Sequence, residues 1–433
     1  VINVHVDHHA LWINPNRPGH LVNGNDGGLN ISWDDGASWI KCNNPPVGQF
    51  YAIAVDQAEP YNVYGGAQDN GVWVGPSTYK ASTDWHQTGR YPYEELIGGD
   101  GMQVAVDTRD NNTVYAGFQL GFYFRFDRKS GRSKANTPRH DDGLLHVTRD
   151  GGDTWQRISD SLPQNLWISR LVASAHEKSR VYVSLNGYRN DDFTAYLFVS
   201  EDYGKKWRRL GPDLPAEPIN VIREDPVNPE LLYVGTDHGV YISVDRGQTF
   251  SAMAGDLPAV PVHDLVVQSK AKDLVIGTHG RSMYKVNIAA VQQLTSEVLA
   301  QAIYLFDLPK KKFSKNWGKK QPWRELKDPE LPVTYYAANV GTAAWTVKTK
   351  DGQVLNSGQV DCAKGLNSFT FTLDFQETAL KKYQKTLSDA QKDSKKPVEL
   401  SKADSGKYYL QKGAYLFEMQ KEGIIVNKEF IIE

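Results

Sequence analysis

The chain has 433 residues, of which 23% are charged, with a formal net charge of -2 and a mean hydropathy of -0.51. No apolar run approaches the roughly 20 residues that a membrane-spanning helix requires, so we expect no membrane span. The near-balanced charge argues against a nucleic-acid partner. A chain of this length and composition is expected to form a large buried core and more than one domain.

The sequence begins at Val1, with neither an initiator Met nor a charged-then-apolar signal segment. We therefore expect a fragment or a processed product, with part of the fold encoded upstream. The two cysteines, Cys42 and Cys362, form no metal-binding spacing and are expected to form no disulfide. Cysteine usage thus indicates no compartment.

A repeated unit occupies the first two thirds of the sequence. Each unit reads as a strand, a Pro- or Asn-containing turn, a second strand similar to Val-Tyr-x-Gly, a Gly-containing turn and a third strand. Six such units begin at residues 11, 52, 103, 170, 220 and 263. A degenerate fourth strand near Trp85 closes the second unit, and a polar insertion over residues 127–142 interrupts the third.

Repeats of about 40–50 residues with this strand content predict the blades of an all-β propeller. We place the propeller at residues 1–287, with about six blades visible and the ring incomplete at the N-terminus. A β-sandwich does not repeat at this period, and the coils of a β-helix are much shorter. The propeller is therefore favoured over both.

Four units carry a turn of the form Ser/Thr-x-Asp-x-Gly-x-x-aromatic, at residues 32–39, 148–155, 200–207 and 243–250. We call these the Ser-Asp turns. Their hydroxyl and carboxylate groups can bond nearby backbone N–H groups, the Gly can take a positive φ, and the aromatic residue can anchor the next strand. Their carboxylates are therefore expected to be structural rather than catalytic, namely those of Asp34, Asp150, Asp202 and Asp245.

Two further regions follow the propeller. Residues 289–302 have helical spacing of apolar residues, and residues 310–320 form a basic stretch that we interpret as a solvated tether. Residues 288–330 thus make a helix and linker. Strand-like alternation over residues 331–433 predicts a small β-sandwich of immunoglobulin-like type, and residues 376–396 form a charged insertion within it.

The order of strands in a blade separates the two faces of the propeller. The Ser-Asp turns connect third to fourth strands, so the turns between second and third strands must lie on the opposite face, together with the starts of the first strands. Polar residues collect at those positions. As candidate ligand-binding residues we take Asp7, His8, His9, Tyr51, Gln68, Asn70, His238, His263, His279 and Arg281.

Three carboxylates on this face, Asp26, Asp69 and Asp100, are candidates for glycoside hydrolysis, which needs two carboxyl groups roughly 5–10 Å apart. Asp7 is a fourth. Ordinary hairpin turns equally explain Asp26 and Asn70. The run Gly98-Gly99-Asp100-Gly101 exceeds what a hairpin needs, and close approach of a ligand to the backbone would explain it.

Other chemistries fit less well. Adjacent strand residues point to opposite faces, so His8 and His9 do not readily share a metal ion, and no third ligand has a clear spacing. We therefore expect no cofactor, although a bound cation stays open. A sialidase needs an arginine cluster, and only Arg281 is suitably placed. Serine and cysteine nucleophile motifs are absent from the sequence.

The Ser-Asp turns match the Asp-box, also called the bacterial neuraminidase repeat. Residues 6–12, 24–28, 68–71 and 98–101 resemble large bacterial Asp-box proteins that are related to the sortilin (VPS10) propeller and often described as glycosyl hydrolases. The resemblance covers roughly residues 1–305, and the final domain resembles the immunoglobulin-like tail of such proteins. It implies a bacterial, secreted or cell-surface protein whose upstream portion can supply a second propeller. Two-propeller xyloglucanases are more distantly similar.

We carry two hypotheses forward. The first is a non-catalytic propeller that binds a polysaccharide or a protein ligand on the face opposite the Ser-Asp turns, with an upstream propeller fragment as a further partner. The second is an endo-acting, xyloglucanase-like glycoside hydrolase that uses a pair from Asp26, Asp69 and Asp100. The first is favoured because a propeller hosts many functions and no acid pair is evident from sequence.

Overall fold

The computed structural model describes residues 4–42, 48–80, 93–107, 109–135, 145–147, 154, 156–253, 257–320, 325–390 and 397–433. The strand predicted near Trp85 and the Ser-Asp turn around Asp150 lie outside these residues. The chain divides into two compact units, Val1–Gln292 and Gln293–Glu433. No helix in the described ranges is long and apolar enough to cross a bilayer.

The described part of the first unit contains six antiparallel sheets of three or four strands, in which each strand pairs with the next one along the chain, as in propeller blades, and one two-stranded sheet. Sheets 1 to 3 contain β1 (His8–Ile13), β2 (Leu21–Asn25), β3 (Gly28–Ser32), β4 (Ile40–Cys42); β5 (Phe50–Val55), β6 (Asn62–Ala67), β7 (Gly71–Pro76), β8 (Glu94–Ile97); and β9 (Gly101–Val106), β10 (Thr113–Phe118), β11 (Phe122–Asp127), β12 (Arg132–Ala135).

A two-stranded sheet follows, made of β13 (His146–Val147) and β14 (Gln156–Arg157). Sheets 4 to 6 contain β15 (Trp167–Ala173), β16 (Val181–Gly187), β17 (Asp192–Ser200), β18 (Arg208–Arg209); β19 (Ile219–Glu224), β20 (Leu232–Thr236), β21 (Gly239–Ser243), β22 (Ser251–Ala252); and β23 (Val262–Gln268), β24 (Asp273–Thr278), β25 (Met283–Asn287). The predicted all-β propeller is confirmed.

The third repeat differs from its prediction. The segment interpreted as a polar insertion contains β12, which pairs with β11 and completes sheet 3. The continuation of that repeat forms instead the separate β13–β14 hairpin. The sequence of β12 resembles an insertion because its first three residues are polar and all four of its residues are exposed on an outer strand.

The ring of sheets closes between sheet 6 and sheet 2. β5 packs against both β9 and β23, and β19 packs against β15 and β23. One buried carboxylate, that of Asp264 in β23, joins four sheets: it accepts hydrogen bonds from Ile53 N (2.9 Å) and Arg223 Nη2 (2.8 Å) and pairs with Arg170 Nη2 (3.2 Å). Sheet 1 therefore does not stand between sheets 6 and 2.

The Ser-Asp turns hold themselves together by side-chain hydrogen bonds. In the turn of sheet 5, Asp245 Oδ1 accepts from Ser243 Oγ (2.7 Å) and Thr249 N (3.0 Å), while Ser243 Oγ accepts from Gly247 N (2.7 Å). The turns of sheets 1 and 4 repeat this pattern around Asp34 and Asp202. These hydrogen bonds lower the pKa of the carboxylates despite the opposing effect of burial.

The second unit is a two-sheet structure with one shared core. Its two larger sheets have the strand orders β26-β27-β30 and β29-β28-β33-β34, and β31 pairs with β32. The strands are β26 (Ile303–Leu305), β27 (Leu331–Ala337), β28 (Gly341–Thr349), β29 (Val354–Cys362), β30 (Gly365–Phe371), β31 (Asp374–Phe375), β32 (Tyr408–Tyr409), β33 (Gly413–Lys421) and β34 (Ile424–Ile432). The immunoglobulin-like type stays a prediction.

Helical segments are short. The helix predicted over residues 289–302 is present as a 3-10 turn, Val291–Gln293, and α1 (Ser296–Leu299), because Thr295 caps a new helix start by accepting from Val298 N. The charged insertion contains α2 (Leu380–Ala390). The basic stretch predicted as a tether is instead tied to β34, since Lys311 N donates to Ile431 O (2.9 Å).

Candidate functional site

The turns between second and third strands place four carboxylates together where sheets 1, 2 and 3 meet. We call Asp7, Asp26, Asp69 and Asp100 the acidic cluster. Asp69 N donates to Asp100 Oδ1 (2.9 Å), and Asn70 Nδ2 donates to the backbone oxygen of Asp26 (2.9 Å). The charges of the other three carboxylates all act on Asp69. The structure thus brings the three predicted catalytic aspartates and Asp7 to one place.

Asp69 is a member of the acidic cluster whose pKa is raised by its surroundings. Burial raises its pKa above the ordinary value of 3.8, and the charges of Asp100, Asp26 and Asp7 together with a hydrogen bond to the Asp100 carboxyl raise it further. Asp69 also has a positive φ of 58°, a conformation that Asp and Asn tolerate better than most residues. A carboxyl held this way retains a proton to higher pH than an isolated one.

The glycines around Asp100 have a packing role that the sequence did not reveal. A Cβ atom on Gly101 would lie 2.0 Å from the backbone oxygen of Gly71, and one on Gly71 would lie 2.4 Å from Ile97 O. Gly99 has a positive φ of 86°. Gly101 therefore permits the close approach of sheets 2 and 3, and the approach of a ligand to the glycine run stays a prediction.

A cavity adjoins the acidic cluster. Asp100 N donates to Gln119 Oε1 (2.7 Å), which anchors the 3-10 turn Gln119–Gly121 beside the carboxylates. Leu120, at the tip of that turn, is 89% exposed. The cavity has a volume of about 230 Å³ and is lined by Tyr51, Met102, Gln103, Phe118, Gln119, Leu120 and Tyr123.

Tyr51 lies within electrostatic reach of two carboxylates of the acidic cluster and of two side chains of sheet 4. Burial raises the pKa of its hydroxyl, as do the charges of Asp100 and Asp69 and the hydroxyl of Tyr188, while Arg189 acts in the opposite direction. These groups come from sheets 2, 3 and 4. We call this end of the ring, centred on Tyr51, the channel mouth.

Three residues of sheet 4 at the channel mouth were not among the sequence candidates. The guanidinium carbon of Arg189 lies 4.4 Å from the ring centroid of Trp167 and 5.4 Å from that of Tyr188, within cation–π distance. Trp167 is 57% exposed and Tyr188 is 43% exposed. The alignment of repeats contained the signal, because residues 188–190 follow the second strand of their sheet as Asp237 and His238 do.

The candidate histidines have diverse surroundings. His263 and His279 stack with their centroids 4.5 Å apart, and the His279 ring also lies 6.3 Å from Tyr51. Burial lowers the pKa of His263 to about 4, with further lowering by His279 and Arg170, and burial also lowers the pKa of His279. Both rings are therefore neutral at neutral pH.

Other candidates make local contacts. His9 Nε2 lies 2.6 Å from Asp26 Oδ1, whereas the neighbouring His8 Nδ1 lies 3.0 Å from Asn23 Oδ1, as expected for side chains on opposite faces of a strand. His238 pairs with Glu217 (3.2 Å). Gln68 N donates to Gln49 O, and Arg281 N donates to Thr278 Oγ1. In the described ranges no three His, Cys, Asp or Glu side chains are grouped to hold a metal ion.

Replacement of Asp69 by Asn is expected to stabilise the protein at pH 7. The folded-state pKa of Asp69 exceeds the unfolded value of 3.8, so ionisation destabilises the fold as pH rises through that window. Thermal unfolding should give a higher melting temperature for Asp69→Asn at pH 7 and no difference at pH 3. Asp34→Asn is the matched control. We expect it to lower the melting temperature at pH 7, because hydrogen bonds from Ser38 lower the pKa of Asp34. A lower melting temperature for Asp69→Asn at pH 7 would contradict the electrostatic account.

Comparisons with known proteins find similarity at the level of structure only. No protein-family profile and no curated protein sequence matches this chain. YCF48 from Cyanidioschyzon merolae is 9% identical, with a TM-score of 0.36 over 66% of this chain and 97% of that one.

Two larger proteins align over nearly the whole chain. An ancestral GH74 enzyme is 12% identical with a TM-score of 0.27, over 98% of this chain and 46% of that one. The extracellular domain of a hybrid two-component system from B. thetaiotaomicron is 10% identical with a TM-score of 0.26, over 98% of this chain and 50% of that one. These similarities are remote, and the propeller assignment follows from the sheets of the chain itself.

Proposed function

We propose that the protein binds a glycan at the channel mouth. The observation that carries this proposal is the convergence at Tyr51: carboxylates of sheets 2 and 3 and the side chains of Tyr188 and Arg189 from sheet 4 all act on the pKa of its hydroxyl. Exposed aromatic faces and hydrogen-bonding groups thus border one opening. Sites for small polar ligands combine apolar surface with a few convergent polar groups in this way.

The chemistry of a sugar matches both parts of the channel mouth. Its C–H faces can pack on the rings of Trp167 and Tyr188, and its hydroxyl groups can donate to the carboxylates of Asp69 and Asp100. Ionised carboxylates accept hydrogen bonds and donate none, so the acidic cluster favours ligands rich in hydroxyl groups. A polyanionic ligand would be repelled by the same four charges.

A polysaccharide and oligosaccharide panel tests the proposal directly. We expect at least one neutral glycan to bind the full chain, and Trp167→Ala to weaken that binding by about fivefold or more, since loss of an aromatic contact costs around 1 kcal/mol or more. Trp33→Ala is the matched control, because Trp33 is 47% exposed in the Ser-Asp turn of sheet 1 and stacks on His20 away from the channel mouth. Failure of every glycan, or equal losses in both variants, would overturn the proposal; binding of a peptide alone would replace the glycan with a protein ligand.

The raised pKa of Asp69 favours a second candidate, glycoside hydrolysis. A carboxyl whose pKa is raised beside Asp100 is suited to act as the general acid, and Asp26, hydrogen bonded to His9, can serve as the partner carboxylate. The rate at which reducing ends are released would then fall at least about a hundredfold in the Asp69→Asn variant. If glycans bind and wild-type protein releases no reducing ends, the binding function stands alone.

Sheet 1 supports a proposal about a partner. All six residues of β1 are exposed, and Leu11, Trp12 and Ile13 are exposed by 59%, 49% and 64%, whereas the first strands of sheets 2, 5 and 6 are largely buried. A blade normally packs both faces against neighbouring blades. We propose that a further propeller, an upstream fragment of the same precursor, covers this sheet. Mixing the two purified fragments and measuring protection of β1 from hydrogen exchange would test it, with unchanged exchange as the contrary result.

We further propose that the chain is an Asp-box propeller related to the sortilin type and that it acts outside the cell or at its surface. The hydrogen-bonded turns around Asp34, Asp202 and Asp245 support the first part. A glycan ligand is consistent with a role outside the cell or at its surface. Fractionation of the source cells, followed by detection of the native protein, would place it; recovery in the cytosol alone would contradict an extracellular role.

A further inference from the structure

A second cavity lies on the opposite face of the propeller, between sheets 4 and 5. It has a volume of about 370 Å³, and its lining includes Arg180, Arg208, Arg246, Glu201 and Gln248. Arg180 immediately precedes β16, while the other four residues lie in or just after the Ser-Asp turns. This cavity, which we call the arginine pocket, is therefore distinct from the channel mouth.

The Ser-Asp turns fix the walls of the arginine pocket. Glu201 stands between Ser200 and Asp202, whose side chains bond each other at 2.9 Å. Arg246 and Gln248 occupy two other variable positions, in the sheet 5 turn, and Arg246 N donates to Glu230 O (2.9 Å). The fixed residues of each turn hold the backbone, so the variable residues are presented at set positions.

Positive charge exceeds negative charge in this pocket. Arg180 is neutralised, because its Nε donates to Glu201 (2.8 Å) and its Nη1 lies 3.7 Å from Glu224. Among the described residues, the ion-pair partner of Arg246 is Glu230, at the long distance of 3.9 Å. Arg208 forms no ion pair within the part of the chain that the structure describes. Two guanidinium groups are thus available to a ligand.

Guanidinium groups recognise oxyanions through paired N–H donors in a planar fork, which suits a carboxylate or a sulfate. The pocket volume of about 370 Å³ exceeds what a bare ion needs and is in the range of small-molecule sites. Gln248 adds an amide donor and acceptor to the lining. We propose that the arginine pocket binds an anionic ligand of about monosaccharide size through its carboxylate or sulfate group.

Calorimetric titration of the full chain with glucuronate, glucose 6-sulfate and glucose tests this proposal. We expect the two anions to bind and glucose not to bind at this pocket, with Arg208→Gln and Arg246→Gln each weakening the anion by about tenfold or more, the usual scale for a charged hydrogen bond. Higher salt should weaken binding further.

Arg209→Gln is the matched control, because the adjacent guanidinium points elsewhere: its Nη2 donates to Ala195 O (2.8 Å) and it lies over Tyr196. The affinity of the Arg209→Gln variant for the two anions should stay within about twofold of the wild type, and melting curves should show that all three variants fold. Trp167→Ala should leave anion binding unchanged, which separates this pocket from the channel mouth. No binding of either anion, or an equal loss in Arg209→Gln, would overturn the proposal; inorganic sulfate binding as tightly as glucose 6-sulfate would refute its monosaccharide part.

Discussion

Replacement of Asp264 by Ala is expected to lower the free energy of unfolding of the propeller by about 3–5 kcal/mol, the usual cost of removing one partner from a buried ion pair. Asp264 is 1% exposed, and its carboxylate meets Arg170, Arg223 and the backbone N–H groups of Ile53 and Leu265. Without it, the guanidinium of Arg170, 10% exposed, is left in the interior with no counter-charge.

Denaturant unfolding followed by pulsed hydrogen exchange measures this loss within the first unit. Asp273→Ala is the matched control. Asp273 also joins sheets 6 and 2, because it accepts a hydrogen bond from Tyr61 Oη at 2.9 Å, but its side chain is 13% exposed. We therefore expect its replacement to lower the free energy of unfolding by about 1 kcal/mol. Arg170→Met should recover part of the stability in the Asp264→Ala background, because the orphaned charge is then removed. A loss below about 1 kcal/mol for Asp264→Ala would show that this carboxylate does not hold the ring together.

In the second unit, Phe417→Ala is expected to cost about 3–5 kcal/mol. Phe417 is fully buried in β33, and its ring stacks on Trp345 at 5.8 Å and contacts Phe371 at 5.9 Å. Truncation removes the apolar contacts of both neighbours and leaves a cavity between the two sheets.

Hydrogen exchange in peptides from β28 and β33 reports this change separately from the propeller. Phe417→Leu should cost less than the alanine variant, because it fills part of the cavity. Ile425→Ala is the surface control: the side chain is 53% exposed, and its loss should change stability by about 0.5 kcal/mol or less. Equal effects of Phe417→Ala and Ile425→Ala would contradict the shared core between the two sheets.

The blade repeat was predictable because it is a local signal. Strand alternation and the Ser-Asp turns depend on residues within one blade, and those turns form as their side chains require. The position of a blade relative to the others depends on contacts distant in sequence. For that reason the repeats gave no indication that β5 packs directly against β23 or that all six residues of β1 are exposed.

Topology also brought the candidate aspartates to one face, and the structure places Asp26, Asp69 and Asp100 in one hydrogen-bonded neighbourhood. What sequence reasoning missed was the aromatic wall from sheet 4. The turn at residues 188–190 is a 3-10 turn without the Asp-Gly or Asn-Gly pair that identifies a hairpin, so the sequence did not indicate Tyr188 as a candidate ligand-binding residue. Trp167 was missed because an exposed aromatic at a strand start resembles a core residue in sequence.

The arginine pocket shows the same limit on the other face. Its residues Glu201, Arg246 and Gln248 occupy variable positions of turns whose fixed positions identify the motif, and Arg208 directly follows one of these turns. Sequence reasoning treated those turns as architecture alone. Only the packing of sheet 4 against sheet 5 brings Arg208 and Arg246 to one cavity.

The location of a bound glycan tests the central claim most directly. A crystal structure of the full chain with the tightest glycan of the panel should show sugar rings against Trp167 or Tyr188 and hydroxyl groups within about 3 Å of the carboxylates of Asp69 or Asp100. A neutral glycan bound only on the face that carries the Ser-Asp turns, with the channel mouth empty, would contradict the proposed function.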